Sequence, residues 1–381
     1  MACLALAFHA DFGYPIVLWL LTARREEQPP PADPEIWPSV TMVIPAFNEA
    51  GVIGHKLENC AALDYPSDRI EFLVGSDGST DGTDAIVQGF AGARVRLVPL
   101  ARLGKYAVVN RCAADATSEI LVFSDANTMY RPDAVRRLAV HFSDPAVGCV
   151  SGLLKLDNKT GDAGGRGEGA YWRFESWLKR MESRAGFLIG ANGAIYAIRR
   201  RLFTPLPKGL INDDFFISMK VLEQGYRVRL EDRAIGAEDT APHLEGEFAR
   251  HIRDATGHFQ VLPHLWRVLS PSHGLAAFGF ASHRLARWAV PFVLPLSLLL
   301  ALLSLREPLN SLVVAGFSVV FGLAAAGWLA RRLGARIGLL FVPLYFLTLN
   351  AAILAGFVRF LRGDLTWTTV RSAAISIWLT L

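Results

Sequence analysis

Asp125 and Asn127 stand two residues apart in Phe123-Ser124-Asp125-Ala126-Asn127, directly after the apolar run Ile120-Leu121-Val122-Phe123. Such a run reads as a buried strand. Residues i and i+2 of a strand point the same way, so the two side chains would present oxygens to one point beyond the strand end. Oxygen ligands suit a hard divalent cation. Asp and Asn also favour plain turns, and taken alone the stretch reads as a turn.

Two more apolar runs end on similar side chains. Val40–Ile44 leads into Pro45-Ala46-Phe47-Asn48-Glu49, and Ile70–Val74 into Gly75-Ser76-Asp77-Gly78-Ser79-Thr80-Asp81-Gly82-Thr83. Carboxylates accept the hydrogen bonds that a nucleotide's base and ribose donate. A diphosphate needs a cation or a basic group, which Asp125 with a metal, or Lys105 at a helix start, would supply. The plainer readings are a first-turn helix charge for Glu49, turn and N-cap roles for Asp77 and Asp81, and a solvated lysine for Lys105. Three acidic strand ends on one edge of one sheet favour the ligand site.

Downstream, Asn212-Asp213-Asp214 opens an amphipathic helix. An N-cap needs one such residue, not three. A carboxylate facing a sugar donor would serve as general base toward an acceptor hydroxyl. Arg250-His251-Ile252-Arg253, with Gln260 beyond, is either a solvated helix face or a guanidinium site for a departing diphosphate.

These residues need a frame. Strands are expected at Val40–Ile44, Ile70–Val74, Val95–Val98, Ile120–Phe123, Val147–Leu154 and Ala194–Ile198, and helices at Glu49–Ala62, Asp84–Gly89, Lys105–Ala116 and Asp133–Phe142. This alternation predicts an α/β domain with a mainly parallel sheet, whose ligands bind beyond the C-terminal strand ends. Gly161–Gly169 is expected as a mobile loop. The aromatic stretch that follows, with Trp172 and Trp177, would line an acceptor channel, lie at the membrane face or pack on the sheet.

The chain of 381 residues is 52% hydrophobic with net charge +4, and its mean hydropathy is +0.29. Charges crowd between about residues 24 and 260, and the last hundred residues are strongly apolar. The expected order is a membrane helix over 1–23, a Pro-rich linker over 24–38, a catalytic domain over 39–262, interfacial helices over 263–287 and a C-terminal membrane region over 288–381. That last region holds apolar blocks at Trp288–Leu305, Leu309–Ala330 and Ile337–Val358. Arg24 and Arg25, and later Arg331 and Arg332, favour a cytoplasmic face for the domain. A third C-terminal crossing would place Arg359 and Arg362 outside, so the final block is equally read as re-entrant or interfacial. Trp266, Arg267, His283, Arg284, Arg287 and Trp288 read as an interfacial belt, with His283 an anchor or a neighbour of the acceptor path. No basic run interleaved with aromatics suggests nucleic acid. None of the four cysteines forms a CxxC pair, which argues against zinc.

PAFNE, GSDGSTDGT, GK, FSDAN, NGAIYAIRR, NDDF and SHRLARW, in this order, resemble the membrane-bound family 2 glycosyltransferases of GT-A fold. The resemblance is closest to synthases of the poly-N-acetylglucosamine, chitin, hyaluronan and cellulose types. It implies an inverting, Mg²⁺- or Mn²⁺-dependent transfer from a nucleoside-diphosphate sugar, UDP-linked by expectation, to a glycan or lipid-linked acceptor. The implied place is the inner membrane of a bacterial-type cell, with the domain cytoplasmic, membrane lipids around it and export or accessory subunits as possible partners. It implies donor contacts at Pro45, Phe47, Glu49, Asp77, Ser79, Lys105, Asp125, Ala126, Asn192 and Gly193, and metal ligation by Asp125 and Asn127. Asp214 would be the base, with Asp213 beside it, and Arg253 would meet the leaving group. Trp172, Trp177, Arg250 and His283 would lie toward the acceptor or the interface. Two departures stand out. Asn127 replaces the second carboxylate of a DxD motif, and Arg250 and Asp254 stand where a QxxRW-type motif has Gln and Trp. Without that Trp, whose ring holds the acceptor sugar of processive synthases, single-sugar transfer to a lipid-linked acceptor competes with polymerisation. A catalytically inactive nucleotide-sugar-binding subunit is the alternative of another class.

Overall fold

The computed structural model describes residues 1–25, 31–90, 92, 94–157, 164–239, 244–333, 335 and 338–363. Helix α1 (Ala2–Thr22) leads the chain. The domain's strands are β1 (Val40–Ala46), β2 (Ile70–Asp77), β3 (Val95–Leu100), β4 (Ile120–Phe123), β5 (Met129–Tyr130), β6 (Val147–Asp157), β7 (Tyr196–Arg199) and β8 (Arg227–Asp239). Its helices are α2 (Ile53–Ala61), α3 (Thr83–Gly89), α4 (Lys105–Asp115), α5 (Ala134–Ala139), α6 (Gly164–Ala185), α7 (Asp213–Glu223) and α8 (Leu244–Leu265). Then come α9 (Leu275–Leu303), α10 (Pro308–Arg332) and α11 (Gly338–Leu361).

The strands form one sheet in the order β3-β2-β1-β4-β7-β6-β8-β5. β1 is parallel to β2 and β4, β2 to β3, and β6 to β8, while β4/β7, β6/β7 and β5/β8 are antiparallel. This is the mainly parallel sheet of a GT-A-like fold. Strands covered by helices on both faces need apolar side chains on both, and β4 is buried at every residue. One core cluster lies on each side: Val43, Leu73, Val108, Phe123 and Tyr196 on one, Met42, Ile44, Leu57, Phe72 and Val122 on the other.

β5 and β8 were not expected, because β5 has two residues and β8 reads Arg-Val-Arg-Leu-Glu-Asp-Arg at its start. β8 pairs along β6 from Val147↔Arg227 to Asp157↔Asp239, so sheet pairing outweighs its polar composition. The helix expected from Glu49 begins at Ile53, because Asn48 takes a positive φ of 55° and Glu49 accepts a turn bond from Val52 at 3.0 Å. The loop expected over Gly161–Gly169 becomes helix from Gly164. Its residues 161–163, like 26–30 of the linker, Ile337 and residues 364–381, lie outside the described residues, as does the Trp172 side chain.

Among the described residues, four helices are long and apolar enough to cross a membrane: α1, α9, α10 and α11. α9 starts at Leu275 rather than Trp288, because Leu275–Leu285 continues unbroken into it through a π-helical stretch at Phe280–Leu285. α1 carries a matching stretch at His9–Gly13, and His9 Nε2 meets Ser282 Oγ at 2.9 Å between the two. α11 packs closely on α8. A Cβ added at Gly356 would stand 2.6 Å from Ala255 Cβ and 2.9 Å from the Ile252 carbonyl.

Candidate active site

The β1 and β2 loops are laced to each other. Asn48 N–H donates to Ser79 Oγ (3.1 Å), Thr80 N–H to Asn48 Oδ1 (2.9 Å) and Ala50 N–H to Asp81 Oδ2 (3.0 Å). Ser79 and Asp81 thus spend oxygens on loop architecture, as the plainer reading of Asp81 expected. Pro45, inside β1, pairs in register with Gly75 of β2. Glu49 is half-buried, and burial, then the nearby Asp125 and Asp81, raises its pKa.

Asp77 is 2% exposed and heavily engaged. Its Oδ1 accepts from Leu103 N–H at 2.7 Å and Gly104 N–H at 2.9 Å, and Arg102 pairs with its Oδ2. The Arg102 guanidinium stacks on the Phe47 ring, 3.3 Å from its centroid. The flat face at this corner is therefore Phe47 with Arg102, and Asp77 fixes that arginine. Sequence reasoning did not single out Arg102, which falls in a loop without a motif.

Lys105 joins two of the acidic groups. Its ammonium lies 3.0 Å from Asp125 Oδ1 and 3.4 Å from Asp213 Oδ1. Burial works against the charge, yet Asp125, Asp213 and Asp214 together outweigh it and raise the lysine's pKa. It is not the solvated lysine of the plainer reading, being 17% exposed at the side chain. After β4, Asp125 is half-buried, Ala126 buried and Asn127 exposed. Among the described residues no three His, Cys, Asp or Glu gather as a metal cage. Two oxygen donors at one turn still fit a cation such as Mg²⁺, which takes its remaining ligands from substrate phosphates and water.

Asp213 and Asp214 open α7. Burial raises both pKa values, with Asp125 adding to the shift of Asp213. Asp214 reaches about 6 through burial and the neighbouring Asp213, against Lys105 and Lys179. Gly193 packs directly on it: a Cβ there would stand 2.9 Å from Asp214 Oδ2. Asn192 holds the loop, its N–H donating to Ser151 Oγ at 2.9 Å. Asn212 is seated from below by α8, with its Nδ2 donating to the Asp254 carbonyl at 2.9 Å and Gly257 so close that a Cβ there would collide with its amide. Gln260 clamps the preceding loop through Ile211 N–H (3.1 Å) and the Gly209 carbonyl (3.0 Å). Arg253 lies one turn before Gly257 and pairs with Asp254 at 3.3 Å. Arg250 bears electrostatically on Glu238 of β8.

The acceptor-side expectations fare differently. His283 is no surface anchor: it is fully buried, 2.5 Å from Glu182 and 3.3 Å from Glu175. Tyr14 of α1 donates to the same Glu182 at 2.7 Å, and Arg287 meets Glu175 at 3.1 Å. Trp288 is 6% exposed, stacked on His258 at 4.6 Å. Of the expected belt, Trp266, at 64% exposed, and Arg267 stay on the surface. Trp177 packs against the core and stacks on Phe174 at 6.0 Å. Glu182 and Arg284 were missed as site-shaping residues. They hold Ile189 from both sides, Glu182 Oε2 accepting its N–H and Arg284 donating to its carbonyl, each at 3.1 Å.

A GT-A-like sheet with an acidic cluster beyond its strand ends defines a class, that of nucleotide-sugar transferase folds. Residues 41–204 match the model of "Glycosyl transferase family 2", and the chain carries a domain of that family. The match includes Asp77, Lys105 and Asp125 and stops before Asp213. The chain is 25% identical over 318 residues to the beta-monoglucosyldiacylglycerol synthase of Synechocystis, covering 79% of this chain and 66% of that protein. It is 24% identical over 229 residues to the poly-beta-1,6-N-acetyl-D-glucosamine synthase of Staphylococcus aureus, covering 58% of this chain and 55% of that protein. It thus spans just under two thirds of the first and about half of the second. A mannosyltransferase of Pyrobaculum calidifontis, solved with GDP-Man and Mn²⁺, shares the fold with TM-score 0.68 and 24% identity, over 94% of this chain and 97% of that one.

Proposed function

We propose that this protein is an inverting glycosyltransferase working at a membrane. It moves one sugar from a nucleoside-diphosphate sugar to the hydroxyl of a lipid or lipid-linked acceptor. The observation that carries the reading is Asp214, a half-buried acid beside the buried Asp213, with its pKa raised to about 6 and Gly193 packed directly against it. A carboxylate poised near neutral pH suits general-base work.

Asp214 accepts the proton of the acceptor hydroxyl as its oxygen attacks the anomeric carbon from the face opposite the diphosphate. That single displacement turns an α-linked donor into a β-linked product. Phe47 and Arg102 supply the flat surface for the nucleobase, with Pro45, Glu49 and Ser79 around it. Lys105 and Arg253 offer positive charge to the diphosphate, which relieves charge developing on the leaving group. Asp125 and Asn127 would hold Mg²⁺ or Mn²⁺, which when bound neutralises diphosphate charge. The Mn²⁺ bound in the Pyrobaculum mannosyltransferase supports the metal, and its GDP-Man, with the sugars named for the relatives, supports a nucleotide-sugar donor.

Single-sugar transfer is favoured over polymerisation by Asp254. It stands directly after Arg253 and pairs with it at 3.3 Å, so no aromatic ring is there to hold a growing glycan. The acid cluster and its lysine favour an enzyme over a purely binding subunit. The four apolar helices support a membrane location. The test uses the whole chain in detergent with Mn²⁺, a panel of nucleotide sugars and Asp214→Asn as control. Nucleoside-diphosphate release from one donor, lost in the variant, is expected, with a product one sugar larger than the acceptor. No release from any donor would overturn the enzyme reading, and long products would overturn single transfer.

A further inference from the structure

Lys56 was not singled out by its sequence context. It lies among Ile53, Leu57 and Cys60 on the inward face of α2, where an apolar side chain is the rule. Its relative exposure is 0%. Lysines are almost never fully buried unless paired, yet among the described residues Lys56 forms no ion pair. Its ammonium instead donates to Ser124 Oγ at 2.7 Å and to the Thr128 carbonyl at 2.5 Å, and it stands 4.3 Å from the centre of the Tyr130 ring. Burial pulls its pKa down to about 8, so it remains mostly charged at neutral pH.

The two hydrogen-bond partners flank Asp125-Ala126-Asn127. One turn along α2, Asn59 grips the exit of the same segment. Its Nδ2 donates to the Tyr130 carbonyl and its Oδ1 accepts from Tyr130 N–H, both at 2.8 Å. On the other side Thr128 Oγ1 is tied to Glu238 of β8. An apolar side chain would fill this core position at lower desolvation cost, so core packing alone does not call for an ammonium. The segment it grips carries only one carboxylate, because Asn127 stands in the second ligand place. With one carboxylate of its own, the segment's affinity for a cation depends on how firmly its two oxygens are held in place.

We infer that Lys56 is a positioning residue for the donor's cation: from beneath, its ammonium fixes the backbone at Ser124 and Thr128 so that Asp125 and Asn127 present their oxygens together. The inference rests on the metal reading given above.

The experiment titrates Mn²⁺ into the detergent-purified full chain with UDP as the diphosphate probe, reading free Mn²⁺ by electron paramagnetic resonance. It compares wild type, Lys56→Met, Ser124→Ala and the double variant. Each single variant is expected to raise the half-saturating Mn²⁺ concentration, by about tenfold or more for Lys56→Met, while turnover at saturating Mn²⁺ is kept. The double variant is expected to stay close to Lys56→Met, because the Lys56–Ser124 bond, the stronger of the two that the Ser124 hydroxyl makes, is already lost in the lysine variant. Folded variants that bind Mn²⁺ like wild type would overturn the inference. Should Lys56→Met not fold, Ser124→Ala alone decides. Wild type that leaves all Mn²⁺ free in the presence of UDP would overturn the metal reading and this inference with it.

Discussion

Asp214 lies against Gly193, beside Asp213, with Lys105 bridging from Asp213 to Asp125. Burial first, and Asp213 second, raise its pKa to about 6. A general base works only as the carboxylate, so turnover is expected to fall by about tenfold per pH unit below that value and to level off above it. The sign for stability is opposite. A carboxyl whose folded pKa exceeds its unfolded one favours folding at low pH, and that contribution is lost as pH rises through about 6. Asp214→Asn is therefore expected to melt above wild type at pH 8 and to converge with it near pH 4, while remaining inactive at both. Rate profiles and melting curves across that range check both halves, and an unchanged pH–rate profile in the variant would remove Asp214 as the base.

At the scale of elements, the site is where α7, the Gly190–Gly193 loop and α8 meet. Gly257 is the contact point on α8, since a Cβ there would stand 2.3 Å from Asn212 Oδ1. Gly257→Ala gains helix propensity of about 1 kcal/mol and pushes Asn212 off its bond to the Asp254 carbonyl. The two effects oppose each other in stability but not in geometry. The variant is expected to melt close to wild type and to lose activity by about tenfold or more, because small misplacements at a reacting centre are costly. Parallel melting and nucleoside-diphosphate release check this. The importance of Asn212 was legible as three polar residues in a row. Its seat on a glycine forty-five residues later was not, because close helix approach leaves no local periodic signal.

For the molecule as a whole, the buried charges between α1, α6 and α9 are the link between the long apolar helices and the site. Tyr14 and His283 both bond Glu182, and Glu182 with Arg284 pins the Ile189 backbone just ahead of the loop that faces Asp214. Tyr14→Phe removes one partner from a fully buried carboxylate, which costs about 1–3 kcal/mol. A lower melting temperature in detergent is expected, together with reduced turnover, although Tyr14 belongs to the first membrane-type helix. A variant with wild-type melting and turnover would show that α1 is a passive anchor.

The sequence by itself determined the strand-end chemistry and the α/β alternation. Asp125, Asn127, Lys105, Asp213 and Asp214 stand out because polar residues that interrupt apolar runs break a local period that any window can see. The apolar blocks at both ends were legible for the same reason, since twenty consecutive apolar residues are a local quantity. Only the tertiary structure decided that Asp77 is spent on the Arg102 turn, that His283 is buried between two glutamates and that Lys56 lies under the Asp125 turn. It also decided that β8, with its charged start, belongs in the sheet. Each of these depends on contacts between residues 25 to more than 100 positions apart, and such partners are chosen by packing and charge compensation in three dimensions, which no local pattern records.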